Sequence, residues 1–219
     1  MAPVTLFENF SADQVSFSEL KKNKLGGKYI PIDSSDGGKI LLQMPAMRAP
    51  FGLSAFTDAG SGKVSYSLDL SLDDAEVRAK LQEVDERVVK YVADNSQTFL
   101  GKPYKLEVIK EALFKPLVKP GKGDYAPTLK LKVVTGRDGN FIPECYDSTR
   151  KSCPLDSIEK GGMVHTIVEV SQIWFIDNKF GVSVRLQQAL KLPSNNLKGF
   201  AFAVESEVDI PEDVSEASV

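Results

Sequence analysis

The chain has 219 residues, 42% of them hydrophobic and 26% charged, and a formal net charge of −3. This is the length of one domain with enough apolar side chains for a core, which excludes a chain disordered throughout. No apolar run reaches the roughly 18 residues needed to span a bilayer. The first thirty residues also lack the basic-then-apolar layout of a secretory leader. The expectation is therefore an intracellular protein, not secreted and without membrane contact.

Residues 1–27 show no sustained period and read as a mobile lead-in, with Lys21-Lys22-Asn23-Lys24 followed by Gly26-Gly27. A short strand is expected over 39–44, closed by Pro45 and Pro50. After the turn at Gly60-Ser61-Gly62, Val64, Tyr66, Leu68 and Leu70 alternate with polar residues, the period of a half-buried strand. A helix follows, capped by Ser71 or Asp73, with Val77, Leu81, Val84, Val88, Tyr91 and Val92 at helical spacing. A shorter helix is expected from Lys105 to Phe114, since Pro116 and Pro120 prevent its continuing.

From Ala126 the pattern is β. Leu129, Leu131 and Val133 alternate with Lys130 and Lys132, and Arg137-Asp138-Gly139-Asn140 is a hairpin signal. Two long strands, 163–176 and 180–190, flank Asp177-Asn178-Lys179. A three-residue loop there pairs apolar with apolar throughout (Ile176 with Phe180, Trp174 with Val182, Val170 with Leu186) and is preferred over the two-residue alternative. That register puts Trp174 in the core and Phe175 on the outer face with Arg185, Gln187, Lys130 and Lys132. The resulting class is mainly β with an inserted helix, a small antiparallel barrel with long loops. The domain spans 28–203, ahead of an acidic tail, 204–219.

Charge is unevenly placed. Glu205, Glu207, Asp209, Glu212, Asp213 and Glu216 leave 27 basic against 24 acidic residues in 1–203. Nine basic residues lie in 101–137, opposed only by Glu107, Glu111 and Asp124. A basic body, an acidic tail and a ring on a basic sheet face suit a polyanion whose bases can stack.

Reactive constellations are not legible. Gly60-Ser61-Gly62-Lys63 lacks the first glycine of a phosphate loop, Thr57 standing there, and Val64 stands where magnesium needs a hydroxyl. Cys145, Cys153 and His165 match no common zinc spacing. Two cysteines make no disulfide framework, so reduced thiols are expected. No enzyme activity, metal or cofactor is expected.

Several segments in order carry a resemblance. They are Pro50-Phe51-Gly52-Leu53-Ser54, the strand–helix unit 63–94, Tyr125-Ala126-Pro127-Thr128-Leu129-Lys130-Leu131-Lys132, Gly162-Met163-Val164, Ile173-Trp174-Phe175, Phe180-Gly181-Val182 and Gln187-Gln188. Together they resemble the OB-fold single-stranded-DNA-binding proteins of podophage-type replication systems and their relatives in large nucleocytoplasmic DNA viruses. The resemblance implies an OB-like barrel with an inserted helix, no catalysis, and a groove for single-stranded DNA in viral DNA replication or recombination. It also implies work in the host nucleus or at a cytoplasmic replication site. The acidic tail would compete with DNA and contact replication proteins, although Ala217-Ser218-Val219 departs from the aromatic ending of the phage members.

The candidate nucleic-acid contacts are Lys102, Lys105, Lys122, Tyr125, Lys130, Lys132 and Arg137. To these are added Phe141, Trp174, Phe175, Lys179, Arg185 and Gln187. A homodimer is compatible with this reading. The rival reading is a structural or interaction protein such as a minor virion component.

Overall fold

The computed structural model describes residues 3–24 and 26–194. The strands that frame it are β1 (Lys28–Ser34), β2 (Ile40–Gln43), β3 (Met47–Ala49), β4 (Leu53–Thr57) and β5 (Val64–Ser71). Then come the helix α1 (Ala75–Asp94), β6 (Thr128–Val133), β7 (Glu144–Tyr146), β8 (Gly162–Ile176) and β9 (Lys179–Lys191). The fold is mainly β with one long helix.

Five strand positions make an OB-like ring. β2 and β3 pair antiparallel with β8, β8 with β9, and β6 with β5, while β9 runs parallel to β6. The ring closes where β3 lies against β5, Arg48 Nη2 donating to Ser71 Oγ at 3.3 Å. α1 is inserted between β5 and β6, as expected of a partly open barrel with a helical insert.

α1 forms for the reason its spacing suggests. Val77, Leu81, Val84, Val88, Val89 and Val92 are buried on one face. Its cap is Asp74 rather than Ser71 or Asp73: the Asp74 carboxylate accepts from the Glu76 and Val77 amides. The expected second helix is one α turn, Leu106–Val108, running into a π turn, Ile109–Leu113.

The amino-terminal segment corrects the lead-in expectation. Val4–Leu6 pairs with β2, Val15–Phe17 and Lys21–Lys22 pair with β1, and Phe7, Phe10, Ala12 and Val15 are buried in the core. Its strands are too short to show a period, yet Phe7 and Phe10, at a 3-10 turn between them, anchor it. The acidic tail expected over 204–219 lies outside the described residues.

The last hairpin corrects the register. Ile176 pairs with Lys179, Phe175 with Phe180 and Trp174 with Gly181, so the loop is the two residues Asp177-Asn178. Both have positive φ, 49° and 61°. This is the type I′ geometry that Asp and Asn tolerate and that matches strand twist. The pairs that favoured a longer loop do not form; bulges keep apolar with apolar between other partners. Ser171 is passed over between Val170 and Gln172, and Val170 then meets Val184 and Val168 meets Leu186. Gln187 is passed over next, on the other strand.

Phe175 is consequently core, at 8% exposure, and Trp174 is outward. Phe175 belongs to a chain of rings that crosses the molecule: Phe17–Tyr91 (4.2 Å), Tyr91–Phe99 (5.5 Å), Phe99–Phe175 (5.9 Å), Phe175–Phe180 (5.9 Å) and Phe180–Phe114 (5.3 Å). No described helix is long and apolar enough to cross a membrane.

Candidate nucleic-acid interface

The outward sides of β5, β6, β9 and β8 form one trough of about 380 Å³. Alternation puts Lys130 and Lys132 outward from β6, because Leu129, Leu131 and Val133 turn to the core. The same rule puts Ser183 and Arg185 outward from β9, with Val184 and Leu186 buried between and beyond them.

β6 and β9 are parallel neighbours, but they meet at a single register pair, Lys132 beside Arg185. Toward their starts they separate, and the segment 114–119 fills the split. Phe114 and Lys115 pair with Phe180 and Gly181 of β9, while Val118 and Lys119 pair with Leu129 and Thr128 of β6. This arch adds Lys115 and Lys119 to the trough wall.

Rings stand among the cations. Trp174 lines the trough, and Phe56, at the far edge on β4, is 64% exposed. Tyr66, paired with the buried Val133, turns its ring to the other side of the sheet, where Phe141 meets it edge-on at 4.9 Å, so only its backbone borders the trough. Across β8 from Trp174 the directly paired residue is Tyr29 of β1, and Lys21 pairs with Tyr29 in turn. Directly paired residues share a face, so the ring-bearing surface continues past the trough.

The electrostatics are those of a cationic patch with one carboxylate on its face, Asp69, paired directly with Lys130. Burial, helped by Arg185 and Lys63, holds the Lys132 ammonium below the usual lysine range. Burial followed by Lys130 does the same to Lys119, with Asp69 partly opposing. Among the described residues, none of Lys63, Lys115, Lys119, Lys130 and Lys132 forms a salt bridge. Arg185 Nη2 donates to Gln172 Oε1 at 3.3 Å, while its buried Nε has no partner within the described protein.

Of the residues expected from sequence, Lys130, Lys132 and Trp174 line the trough and Arg185 flanks it, while Phe141 packs with Tyr66 against the core. Phe175 does not take part, being sealed in the core. Gln187 donates to Glu169 Oε2 at 2.7 Å, and Lys39 pairs with the same carboxylate. Lys102 (over the Tyr104 ring), Lys105, Lys122, Tyr125, Arg137 and Lys179 are exposed but line other surfaces. Tyr125 is 80% exposed on a turn. Sequence reasoning did not select Phe56, Lys63, Lys115 or Lys119. The usable signal was the outward Ser65, Ser67, Lys130, Lys132 series; the arch carried none, since its place depends on docking between two strands.

A model of DUF5871, a family of unknown function, matches residues 59–200, well over half of the sequence. The chain belongs to this family. The matched DUF5871 region includes β5, α1, the arch and the β8–β9 hairpin, and leaves Phe56 and Tyr29 outside it. No curated protein matches the chain significantly.

Among solved structures, the chain is similar to the single-stranded DNA-binding protein gp2.5 encoded by bacteriophage T7. The identity is 14%, over 79% of this chain and 100% of that one, with a TM-score of 0.47. It is also similar to the single-stranded DNA-binding protein of bacteriophage Enc34 in complex with ssDNA. There the identity is 12%, over 84% and 99% of the two chains, with a TM-score of 0.44. The Enc34 protein on its own aligns at 14% identity over 88% and 98%, with a TM-score of 0.41.

Proposed function

We propose that this protein is a non-catalytic, sequence-tolerant single-stranded-DNA-binding protein acting in viral DNA replication or recombination, inside the cell and in contact with replication proteins. The observation that carries the reading is the convergence of Lys115, Lys119, Lys130 and Lys132 with Trp174 and Phe56 in one trough. Like charges gathered at this density repel one another, and a phosphodiester chain relieves that repulsion while its bases stack on the rings. Cations and rings read no base edge, so binding tolerates any sequence. The acidic tail, 204–219, would compete for the same cations.

Fluorescence anisotropy of a labelled oligothymidine against a duplex of the same length tests the reading. Preference for the single strand is expected, with log affinity falling against log salt at a slope of about −3 for four or five phosphate contacts. Equal affinity for duplex, or no salt dependence, would overturn it. Failure to bind any nucleic acid beside a stable protein partner would favour the interaction-protein reading.

A further inference from the structure

α1 buries one side chain that its apolar face does not call for. Asp85 sits among Leu81, Val84, Val88 and Val89 and is 6% exposed. A carboxylate in such a place is unfavourable unless it is hydrogen-bonded. Its partner is the arch: the Leu117 N–H donates to Oδ2 at 2.9 Å and to Oδ1 at 3.2 Å, and the Val118 amide also favours its charged form. No cation pairs with Asp85 among the described residues. Leu117, itself buried, lies between Lys115 and Lys119 at the crest of the segment that fills the β6–β9 split.

We propose that Asp85 is the positioning residue of the trough: from inside α1 its carboxylate anchors the 114–119 arch and so sets where Lys115 and Lys119 stand. The anchoring is a statement about the fold alone; its effect on binding rests on the single-stranded-DNA reading. The ladders on either side fix only two residues each, Phe114–Lys115 against β9 and Val118–Lys119 against β6. Pro116, at the bend, has no N–H to give. The Leu117 amide is thus the bend's own backbone donor, and Asp85 satisfies it from below. A leucine at 85 would suit the helix face but leave that donor buried and unpaired.

Amide hydrogen exchange of the full chain, read by NMR, tests the anchor directly. In Asp85→Leu the Leu117 and Val118 amides should exchange about tenfold faster or more, the cost of leaving buried donors without an acceptor. Asp85→Asn, which keeps one acceptor oxygen, should fall between, and β8–β9 amides should be unchanged. Equal protection of Leu117 and Val118 in all three proteins would overturn the anchor, and Asp85→Asn alone decides it if the leucine variant does not fold.

Oligothymidine binding then tests the consequence. Asp85→Leu should weaken binding and flatten the salt slope by about 1.4, as for two lost phosphate contacts. Added to Lys115→Ala/Lys119→Ala it should weaken binding no further. An equal additional loss on that background would show that Asp85 acts elsewhere, against the proposal. If the wild type binds no single strand, the functional reading fails, and amide exchange still decides the anchor.

Discussion

Trp174 lies across Gly181. The two are directly paired on β8 and β9, and a Cβ at 181 would stand 2.9 Å from Trp174 Cζ2 and 2.7 Å from the Lys115 carbonyl oxygen. The missing side chain lets the indole and the arch approach the same point. Gly181→Ala should displace both, costing about 1–3 kcal/mol as overpacking does. Trp174 is the only tryptophan of the chain. Urea unfolding followed by its emission therefore reads the loss of stability and the shifted ring in one experiment.

The adjacent rings Trp174 and Phe175 should separate binding from stability. On the proposed function Trp174→Ala should remove a stacking platform and weaken oligothymidine binding by about 1–3 kcal/mol, with a modest effect on unfolding. Phe175→Ala opens a hole between Phe99 and Phe180. It should cost about 3–5 kcal/mol of stability. Paired denaturation and anisotropy measurements check the division. The reverse assignment would return Phe175 to the surface.

Asp85 should make stability depend on pH near neutrality. Burial raises its carboxyl from 3.8 to about 7, the Leu117 and Val118 amides opposing the rise. The folded state therefore holds this proton more tightly than the unfolded one. Its contribution is fully present below about pH 4 and is lost as pH rises through about 7. Thermal or urea unfolding at pH 5 and pH 8 should show a decline in the wild type, on the order of a few kcal/mol at most. The decline should be smaller in Asp85→Asn, whose amide does not titrate.

The two thiols should differ in reactivity although they touch. Cys145 and Cys153 face each other across a short hairpin, Sγ to Sγ 3.4 Å, with the Cys153 amide donating to the Cys145 carbonyl at 2.9 Å. Cys145 is buried, and burial, then the Cys153 side chain, pushes its thiol up to about 12. The thiolate is the nucleophile, so Cys145 should resist alkylation. Iodoacetamide followed by peptide mass mapping should find Cys153 modified first.

The legible parts of this molecule are those in which one element determines its own pattern. α1 shows its buried face in spacing alone, and Lys130 and Lys132 are outward because Leu129, Leu131 and Val133 cannot be. The β8–β9 register was hidden for a definite reason. A bulge at Ser171 restores apolar pairing after a two-residue turn, so a count that assumes unbroken alternation prefers the longer loop. The better guide was local: Asp177 and Asn178 are residues that accept positive φ side by side. Asp85 and the arch lay out of reach because their roles exist only once α1, β6 and β9 are assembled. Phe7, Phe10 and Val15 were missed since three-residue strands joined by short 3-10 turns carry too few side chains to show a period.

The single rung shared by β6 and β9 also separates frame from lining. The direct pairing of β6 with β9 is confined to Lys132 and Arg185, and the outer trough beyond them is shaped by a six-residue insert. Lengthening or recharging the bend between its two short ladders should reshape the trough while leaving every long strand pairing in place, so chains built on this scaffold can differ in the depth and charge of this face.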